Sequence, residues 1–188
     1  RNCAFCNIEP GTTQVPDADE PHRVALATRE LELSHVVITS VTRDDLPDGG
    51  AAHFAETIRQ IRAAFPDNVP SIEVLIPDFR GSEAALQLVL DATPDIINHN
   101  VETPPAHYAR IRPQADYLQS LELLQRVRRA GGIPKSGLMV GLGETDEEVR
   151  TVLHDLAEAG CRIATIGQYM RPSCKHPAVE RYAHPDVF

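Results

Sequence analysis

Two cysteines near the start of the sequence have a spacing that could support metal or redox chemistry. Cys3 and Cys6 are separated by two residues, which fits half of a zinc site, a thioredoxin-like dithiol or part of an iron–sulfur motif. A zinc site needs two more ligands, and the sequence contains no second pair of this kind. A thioredoxin-like pair would begin a helix, whereas residues 7–19 form a polar stretch with proline and glycine. The spacing alone leaves all three interpretations open.

Five polar segments carry most of the other residues capable of chemistry, and each follows a hydrophobic run. They are residues 39–50, 76–80, 98–103, 135–144 and 167–173. Glycines in the first and fourth segments also have an ordinary explanation, because they permit tight turns and helix entry. The position of all five segments after hydrophobic runs favours a functional interpretation, because binding and catalytic residues of parallel α/β folds lie at the carboxyl ends of the strands. We therefore expect these segments to line one rim of a sheet.

The elements that must position these segments alternate along the whole chain. Predicted strands are 35–41, 71–76, 95–100, 134–142 and 162–169, and predicted helices are 20–33, 50–65, 82–92, 116–130 and 145–159. Continuous apolar strands are typical of a parallel sheet covered by helices. Because no Rossmann glycine fingerprint follows the first strand, the pattern predicts an α/β fold of the partial (β/α) barrel type. One more strand just before Arg1 would raise the strand count to six.

Two predicted helices carry specific local signals. Phe54, Ile58 and Ile61 recur at steps of three and four residues, which indicates one buried helix face. Thr145 and Glu148 have the spacing of a capping box at a helix start.

Composition narrows the class of protein. The 188 residues are 42% hydrophobic and 24% charged with a net charge of −9, which is typical of a globular domain and argues against non-specific nucleic-acid binding. No apolar run has the roughly 20 residues of a membrane helix, and four scattered cysteines do not form a secreted disulfide scaffold. We expect a cytoplasmic protein (mitochondrial in a eukaryote) with no nucleic-acid or membrane partner. The absence of an initiator methionine predicts a fragment of a longer protein.

Taken together, five segments resemble the lipoyl synthase family of radical S-adenosylmethionine (SAM) enzymes. They are TSVTRDDLPDGGAAHF at 39–54, EVLIPDFRG at 73–81, NHNVET at 98–103, KSGLMVGLGETDEE at 135–148 and TIGQYMRPS at 165–173. The resemblance extends over essentially the whole chain. It implies a partial parallel (β/α)6-type barrel with its first strand missing. It also implies that residues 1–188 are a radical SAM core domain that lacks the N-terminal auxiliary-cluster segment and the C-terminal segment.

The resemblance implies a sulfurtransferase that inserts sulfur at C6 and C8 of protein-bound octanoyl groups. The implied cofactors are a 4Fe–4S cluster bound with SAM, which is cleaved to a hydrogen-abstracting radical, and a second, auxiliary 4Fe–4S cluster that donates sulfur. The implied partners are octanoylated lipoyl-carrier domains, namely the E2 subunits of 2-oxoacid dehydrogenases and the H protein of glycine cleavage. A ferredoxin or flavodoxin would donate electrons.

The family motif also assigns residues to these groups. Cys3 and Cys6 match the second and third cysteines of C-x3-C-x2-C, and the first would lie four residues before Cys3. For SAM, the resemblance assigns Asp48, Gly49 and Gly50 to the methionine amino group and Asn98 and Glu102 to the ribose hydroxyls. It places Gly141 and Gly143 beside the adenine. No side chain is assigned as catalytic, because the radical comes from SAM. Ser173 stands in Arg-Pro-Ser and not in the family's Arg-Ser-Ser-Tyr, so it is not assigned to the auxiliary cluster.

Several other residues have less specific interpretations. Arg112, Lys135 and Arg171 are unranked candidates for contact with a carboxylate of the ligand. His99 is interpreted as a structural hydrogen-bonding residue and Cys161 as a buried small side chain.

Three alternatives to lipoyl synthesis remain open, one of which is a metal-free barrel with an ordinary substrate. Another radical SAM reaction, such as that of biotin synthase, would use the same fold, although NHNVET and VLIPDFRG weigh against it. A zinc- or redox-binding module without catalysis would also use the cysteine pair. Reconstitution with iron and sulfide distinguishes a cluster-binding protein from a zinc module.

Overall fold

The structure, a computed structural model, describes residues 1–8, 11 and 13–188 of the chain. These residues form two compact units. The first unit comprises residues 13–98 and 129–133, and the second comprises residues 1–8, 11, 99–128 and 134–188.

The first unit alternates helix and strand. Its elements are α1 (Glu20–Glu30), β1 (His35–Thr39), α2 (Ala51–Ala64), β2 (Ser71–Leu75), α3 (Glu83–Asp91) and β3 (Ile96–Asn98), with a 3₁₀ turn at Phe79–Gly81. The strands pair in parallel, with Thr39 opposite Leu75 and Leu75 opposite Asn98. This register makes the three strands end together, so the segments that follow them lie at one rim.

Burial of apolar side chains stabilises this unit. Phe54, Ile58 and Ile61 of α2 are all buried, as the three- and four-residue spacing predicts. On β2 the consecutive residues Ile72, Glu73 and Val74 are buried, because strands of a parallel sheet are covered on both faces. Each large apolar side chain contributes about 1.5–3 kcal/mol when it is fully buried.

The remaining elements lie in the second unit, apart from Arg129, the last residue of α5. They are α4 (Tyr108–Ile111), α5 (Tyr117–Arg129), β4 (Pro134–Val140), α6 (Asp146–Glu158) and β5 (Ile163–Gln168), with 3₁₀ turns at Pro105–His107 and Pro185–Val187. β4 and β5 pair in parallel, with Val140 opposite Gln168, so these two strands also end together. One core cluster gathers Val101, Tyr108, Tyr117, Leu124, Leu138, Val152, Leu156 and Ala159.

The α/β class predicted from the sequence is confirmed. Within each unit, neighbouring strands follow one another in the chain, as β1-β2-β3 in the first and β4-β5 in the second, which is the order expected for successive β/α repeats. The capping box of Thr145 and Glu148 is present in both directions. None of the described helices is long and apolar enough to cross a bilayer.

Most element boundaries differ from the sequence prediction by one to three residues, and several short elements were not predicted. β4 ends at Val140 and not at residue 142, because Gly141 adopts a φ of 104°. α1 ends at Glu30, and Glu32 has a φ of 50°, so the chain has already left the helical conformation. The short α4 and the three 3₁₀ turns were not predicted, since elements of three or four residues are too short to show a hydrophobic period.

Candidate functional site

The loop after β1 ends in a turn that Asp48 stabilises. Asp48 Oδ1 accepts a hydrogen bond from Gly50 N at 3.0 Å, and Asp48 Oδ2 accepts one from Ala52 N at 2.8 Å. The carboxylate thereby satisfies two amide groups that a helix start leaves unpaired, and its charge is favourable at that end of α2. Each oxygen keeps a second lone pair. Asp48 is therefore a helix-capping residue that can still accept from a cationic ligand.

Gly49 allows the loops after β1 and β2 to approach each other closely. Gly49 has a φ of 63°, and a Cβ at this position would lie 2.9 Å from Cδ1 of the buried Phe79. Phe79 and Arg80 have φ values of 47° and 51°, in a region that L-residues adopt at an energetic cost. The loops after β1 and β2 therefore pack closely against each other. Gly50 also needs a positive φ, of 89°.

Asn98 is the last residue of β3, and of its two side-chain amide atoms only the nitrogen has a hydrogen-bond partner among the described residues. Asn98 Nδ2 donates to Glu73 Oε1 at 3.1 Å in a buried contact. Asn98 Oδ1 is buried and has no hydrogen-bond partner among the described residues, although buried polar atoms are paired in most native proteins. Sequence analysis did not single out Glu73. The signal that could have found it is an acidic residue in the middle of an apolar strand.

In the second unit, Glu102 is held beside β4 by its backbone. Glu102 N donates to Gly137 O at 2.9 Å, and Met139 N donates to Glu102 O at 2.8 Å. Glu102 has a φ of 66°, so this backbone contact is made in a strained conformation. Burial raises the pKa of Glu102, while the positive charge of Arg112 and a hydrogen bond from Asn100 oppose that rise.

The three cationic candidates differ in their surroundings. Arg112 is buried, and its Nη1 donates to the carbonyl oxygens of Asn100 and Val101 at 3.0 and 2.8 Å. Arg171 is exposed and donates to two carbonyl groups of its own loop at 2.9 and 2.6 Å. Lys135 lies on β4 and is partly buried. The charge of Arg112 acts on Glu102, a residue assigned to SAM.

The glycines after β4 lie against the C-terminal segment. Gly141 and Gly143 both have a φ of 104°. A Cβ at Gly141 would lie 2.7 Å from Arg181 O, and one at Gly143 would lie 2.9 Å from a carboxylate oxygen of Glu180. Glu180 N also donates to Gly141 O at 2.9 Å. Both glycines therefore permit the close approach of residues 180 and 181, and their assignment to adenine stays a prediction.

Glu144 is a structural residue of this loop that the sequence analysis did not identify. Its buried carboxylate accepts from Gly141 N at 2.6 Å and from Leu142 N at 2.8 Å. Arg181 lies 3.4 Å from the same carboxylate. Glu144 thus holds the glycine turn and links it to the C-terminal segment. An acidic residue directly after a glycine turn is the signal that could have identified it, because the exposed amides of such turns bind anions.

The segment that carries Cys3 and Cys6 is anchored at several points in the second unit. Cys6 N donates to Cys3 O at 3.1 Å, which closes a turn, and Ala4 N donates to Ile111 O at 2.8 Å. The ring of Phe5 packs on a small core cluster that includes Ile111. Both cysteines are free thiols; Cys3 is partly buried and Cys6 is exposed. The two thiols are thus available to a metal group from a fixed backbone.

The interpretation of His99 agrees with its surroundings, whereas Cys161, interpreted as buried, is only partly buried. His99 is buried, with its Nε2 3.0 Å from Ser120 Oγ. Cys161 packs against the core cluster of the second unit, and burial raises the pKa of its thiol to about 11. A thiol with such a pKa is a poor metal ligand at neutral pH, because the thiolate is the ligand.

Comparison with known families assigns the chain to a class. Residues 1–156 match the family model described as the Radical SAM superfamily. Because the match covers most of the 188 residues, the chain belongs to this superfamily.

Curated relatives give a closer similarity. The chain is 70% identical over 188 residues to the lipoyl synthase of Oleidesulfovibrio alaskensis and 71% identical to that of Nitratidesulfovibrio vulgaris strain Hildenborough. It is 54% identical over 192 residues to the lipoyl synthase of Caldanaerobacter subterraneus. Each match covers 100% of the chain but 64%, 62% and 66% of the respective relative. The chain thus spans less than two thirds of the length of these proteins.

Solved structures share the fold at much lower identity. Methylornithine synthase has a TM-score of 0.68 at 13% identity, and the match covers 96% of this chain and 52% of that one. Streptococcus suis SuiB bound to S-adenosylmethionine has a TM-score of 0.68 at 11% identity, with coverage of 96% and 40%. These similarities concern the fold alone, and together with the Radical SAM family match they confirm the predicted partial barrel.

Proposed function

We propose that the chain is the cluster- and SAM-binding core of a lipoyl synthase, a sulfurtransferase that inserts sulfur at C6 and C8 of protein-bound octanoyl groups. The observation that carries the proposal is the identity of 70% with a lipoyl synthase over all 188 residues. At this identity the similarity extends well beyond the fold, which much more distant members of the superfamily share at 11–13% identity.

The cysteine turn fits an iron–sulfur cluster. Such clusters are held by thiolates, and Cys3 and Cys6 supply two free thiols on a turn closed by their own backbone. The cluster and SAM, when bound, supply the electron and the radical that abstract hydrogen from unactivated C–H bonds. The chain's own residues hold and orient these groups and exclude competing reactions.

Unsatisfied polar atoms favour the assignments to SAM. Asn98 Oδ1 is buried with no hydrogen-bond partner among the described residues, so a ribose hydroxyl would satisfy it. Glu102, which is held in a strained backbone conformation, would accept from the ribose. Asp48 would accept from the methionine ammonium with its remaining lone pairs, while Gly49 and Gly50 let backbone approach the ligand.

The remaining assignments complete the proposal. Gly141 and Gly143 let the adenine pass close to the loop after β4. A second, auxiliary cluster lies in the part of the protein outside residues 1–188 and supplies sulfur. The substrates are octanoylated carrier domains of 2-oxoacid dehydrogenase E2 subunits and of the glycine cleavage H protein. Electrons come from a ferredoxin or flavodoxin, and the reaction takes place in the cytoplasm.

The test uses the full-length protein, reconstituted anaerobically with iron and sulfide. We expect SAM-dependent conversion of an octanoylated carrier domain to the lipoylated form, in which two sulfur atoms replace two hydrogens, detected by mass spectrometry. Cys6→Ala should lose iron, whereas Cys174→Ala, which removes another exposed free thiol, should retain it. SAM cleavage without a sulfur-bearing product would indicate a different radical SAM reaction. Stoichiometric zinc in place of iron would contradict the proposal.

A further inference from the structure

One histidine side chain connects the C-terminal segment to the cysteine turn. His176 Nε2 lies 3.2 Å from Cys6 O, and His176 Nδ1 lies 2.9 Å from Ser173 Oγ. A carbonyl oxygen can only accept a hydrogen bond, so Nε2 carries the proton and donates to Cys6. In the neutral ring Nδ1 then accepts from the Ser173 hydroxyl, which fixes both the tautomer and the ring orientation.

The loop that presents His176 is closed by its own hydrogen bonds. His176 N donates to Ser173 O at 3.1 Å, and Lys175 N donates to Ser173 Oγ at 3.3 Å. Arg171 donates from Nε to His176 O at 2.9 Å and from Nη2 to Cys174 O at 2.6 Å. The imidazole is therefore held by a stable loop, which makes it an effective anchor for the segment it contacts.

The anchor lies at Cys6, at the end of the cysteine turn, whereas two other hydrogen bonds to the turn are made nearer its start. Asn2 N donates to Gln114 Oε1 at 2.6 Å and Ala4 N donates to Ile111 O at 2.8 Å, and both bonds hold the first half of the turn. His176 contacts the backbone of Cys6, which is itself exposed. An exposed residue has few packing contacts to restrain it, so one hydrogen bond has a large share in fixing its position.

We propose that His176 is a positioning residue that holds the Cys3–Cys6 turn in the conformation that presents Cys6 to the iron–sulfur cluster, with Ser173 orienting its ring. The part that concerns the cluster rests on the proposed function; the holding of the turn does not. The proposal gives a role to Ser173, which the family motif leaves unassigned. His176 acts through the backbone carbonyl of Cys6.

The first experiment measures the apo-protein at full length, so that its result does not depend on a cluster. Hydrogen exchange of the Cys6 amide, which donates to Cys3 O, reports opening of the turn. His176→Ala should accelerate this exchange roughly 2- to 12-fold, the effect of losing one hydrogen bond. His176→Gln, whose amide nitrogen can replace Nε2 as donor, should restore the slow exchange. The matched control is His184→Ala, which removes an exposed histidine of the same segment.

The second experiment measures the reconstituted protein. Transfer of iron to a chelator should be faster in His176→Ala by a similar factor, and the electron paramagnetic resonance spectrum of the reduced cluster should change. His176→Gln and His184→Ala should keep the wild-type rate and spectrum. Ser173→Ala should shift exchange and iron loss in the same direction as His176→Ala but by less.

The outcomes separate the two proposals. Unchanged Cys6 exchange in His176→Ala would overturn the positioning role. Faster exchange throughout the second unit, without rescue by glutamine, would also overturn it, because His176 would then be a general structural residue. A wild-type protein that takes up no iron would refute the proposed function, and the apo-protein exchange would still decide whether His176 holds the turn.

Discussion

At the scale of single residues, several residues assigned to SAM make a structural contact and also keep a polar group that could bind a ligand. Asp48 caps α2 and keeps free lone pairs, and Asn98 bonds Glu73 with one side of its amide only. Glu102 is a carboxyl group whose pKa is raised by burial and whose backbone is strained. Perturbed and strained groups of this kind are common at functional sites. Experiments on variants of these residues therefore have to measure ligand affinity and protein stability separately.

We predict that Glu102→Gln weakens SAM binding and stabilises the ligand-free fold. Loss of a charge-assisted hydrogen bond costs about 1.5–3 kcal/mol, or roughly 10- to 150-fold in the dissociation constant. Because burial raises the pKa of Glu102 in the folded state, its ionisation destabilises the fold increasingly as the pH rises from the carboxyl group's ordinary pKa through the raised one. The increase in the free energy of unfolding that Glu102→Gln causes should therefore be absent at low pH and present at pH 7. Chemical denaturation at the two pH values measures it.

Asp48→Asn and a surface control complete this experiment. Asparagine retains an oxygen that can accept from Gly50 N, so iron content should stay at the wild-type level while SAM affinity falls. Glu158→Gln, which changes an exposed carboxylate on α6, should alter neither. Unchanged SAM affinity in both Glu102→Gln and Asp48→Asn would remove these residues from the site and leave only their resemblance to the family.

At the scale of elements, the start of α6 is fixed by side chains that follow the end of β4. α6 begins with a capping box in which Glu148 N donates to Thr145 Oγ1 at 3.2 Å and Thr145 N donates to Glu148 Oε2 at 2.7 Å. These bonds hold the entry to α6 directly after Glu144, which supports the glycine turn. The cap therefore contributes to the geometry of the loop after β4 as well as to the helix.

We predict that Thr145→Ala destabilises the protein by about 1 kcal/mol, which corresponds to roughly 2–4 °C in Tm for a chain of this size. Thr151→Ala is the matched control, because the Thr151 hydroxyl only bonds the carbonyl of Glu147 one turn earlier in the same helix. Hydrogen bonds from Thr145 lower the pKa of Glu148, so the capping contribution is present above the ordinary pKa of a glutamate and is lost as the pH falls through the lowered value. Equal Tm values for the two variants at pH 7 would contradict this account.

At the scale of the whole molecule, the chain holds the predicted SAM-binding segments and two of the three predicted cluster cysteines. It spans 62–66% of the length of its curated lipoyl synthase relatives. Two thiolates leave a 4Fe–4S cluster short of its usual protein ligands, and the proposed sulfur donor lies outside residues 1–188. If the proposed function holds, we therefore expect the complete reaction to require residues beyond 1–188.

We predict that residues 1–188 alone bind iron weakly and form no lipoylated product, whereas the full-length protein binds iron tightly and forms that product. Iron and sulfide analysis after anaerobic reconstitution, followed by mass spectrometry of the carrier domain, measures the two properties on matched samples. Lipoyl product from residues 1–188 alone would show that the proposed sulfur source is wrong.

Sequence by itself determined the features that depend on neighbouring residues. The alternation of strands and helices, the buried face of α2 with Phe54 and Ile58, and the capping box of Thr145 and Glu148 all follow from local periodicity and spacing. The α/β class followed as well, because such an alternation has few packed solutions. The motif residues at the strand ends were identified from the family resemblance.

Only the tertiary structure decided which distant side chains meet. Asn98 contacts Glu73 because the register of β2 and β3 places them in reach, and no local pattern fixes that register. The contact of His176 with Cys6 spans 170 residues, and residues 180 and 181 lie on Gly141 in the same way. Such contacts depend on how loops close over a finished sheet, and the spacing of residues along the chain carries no information about that closure.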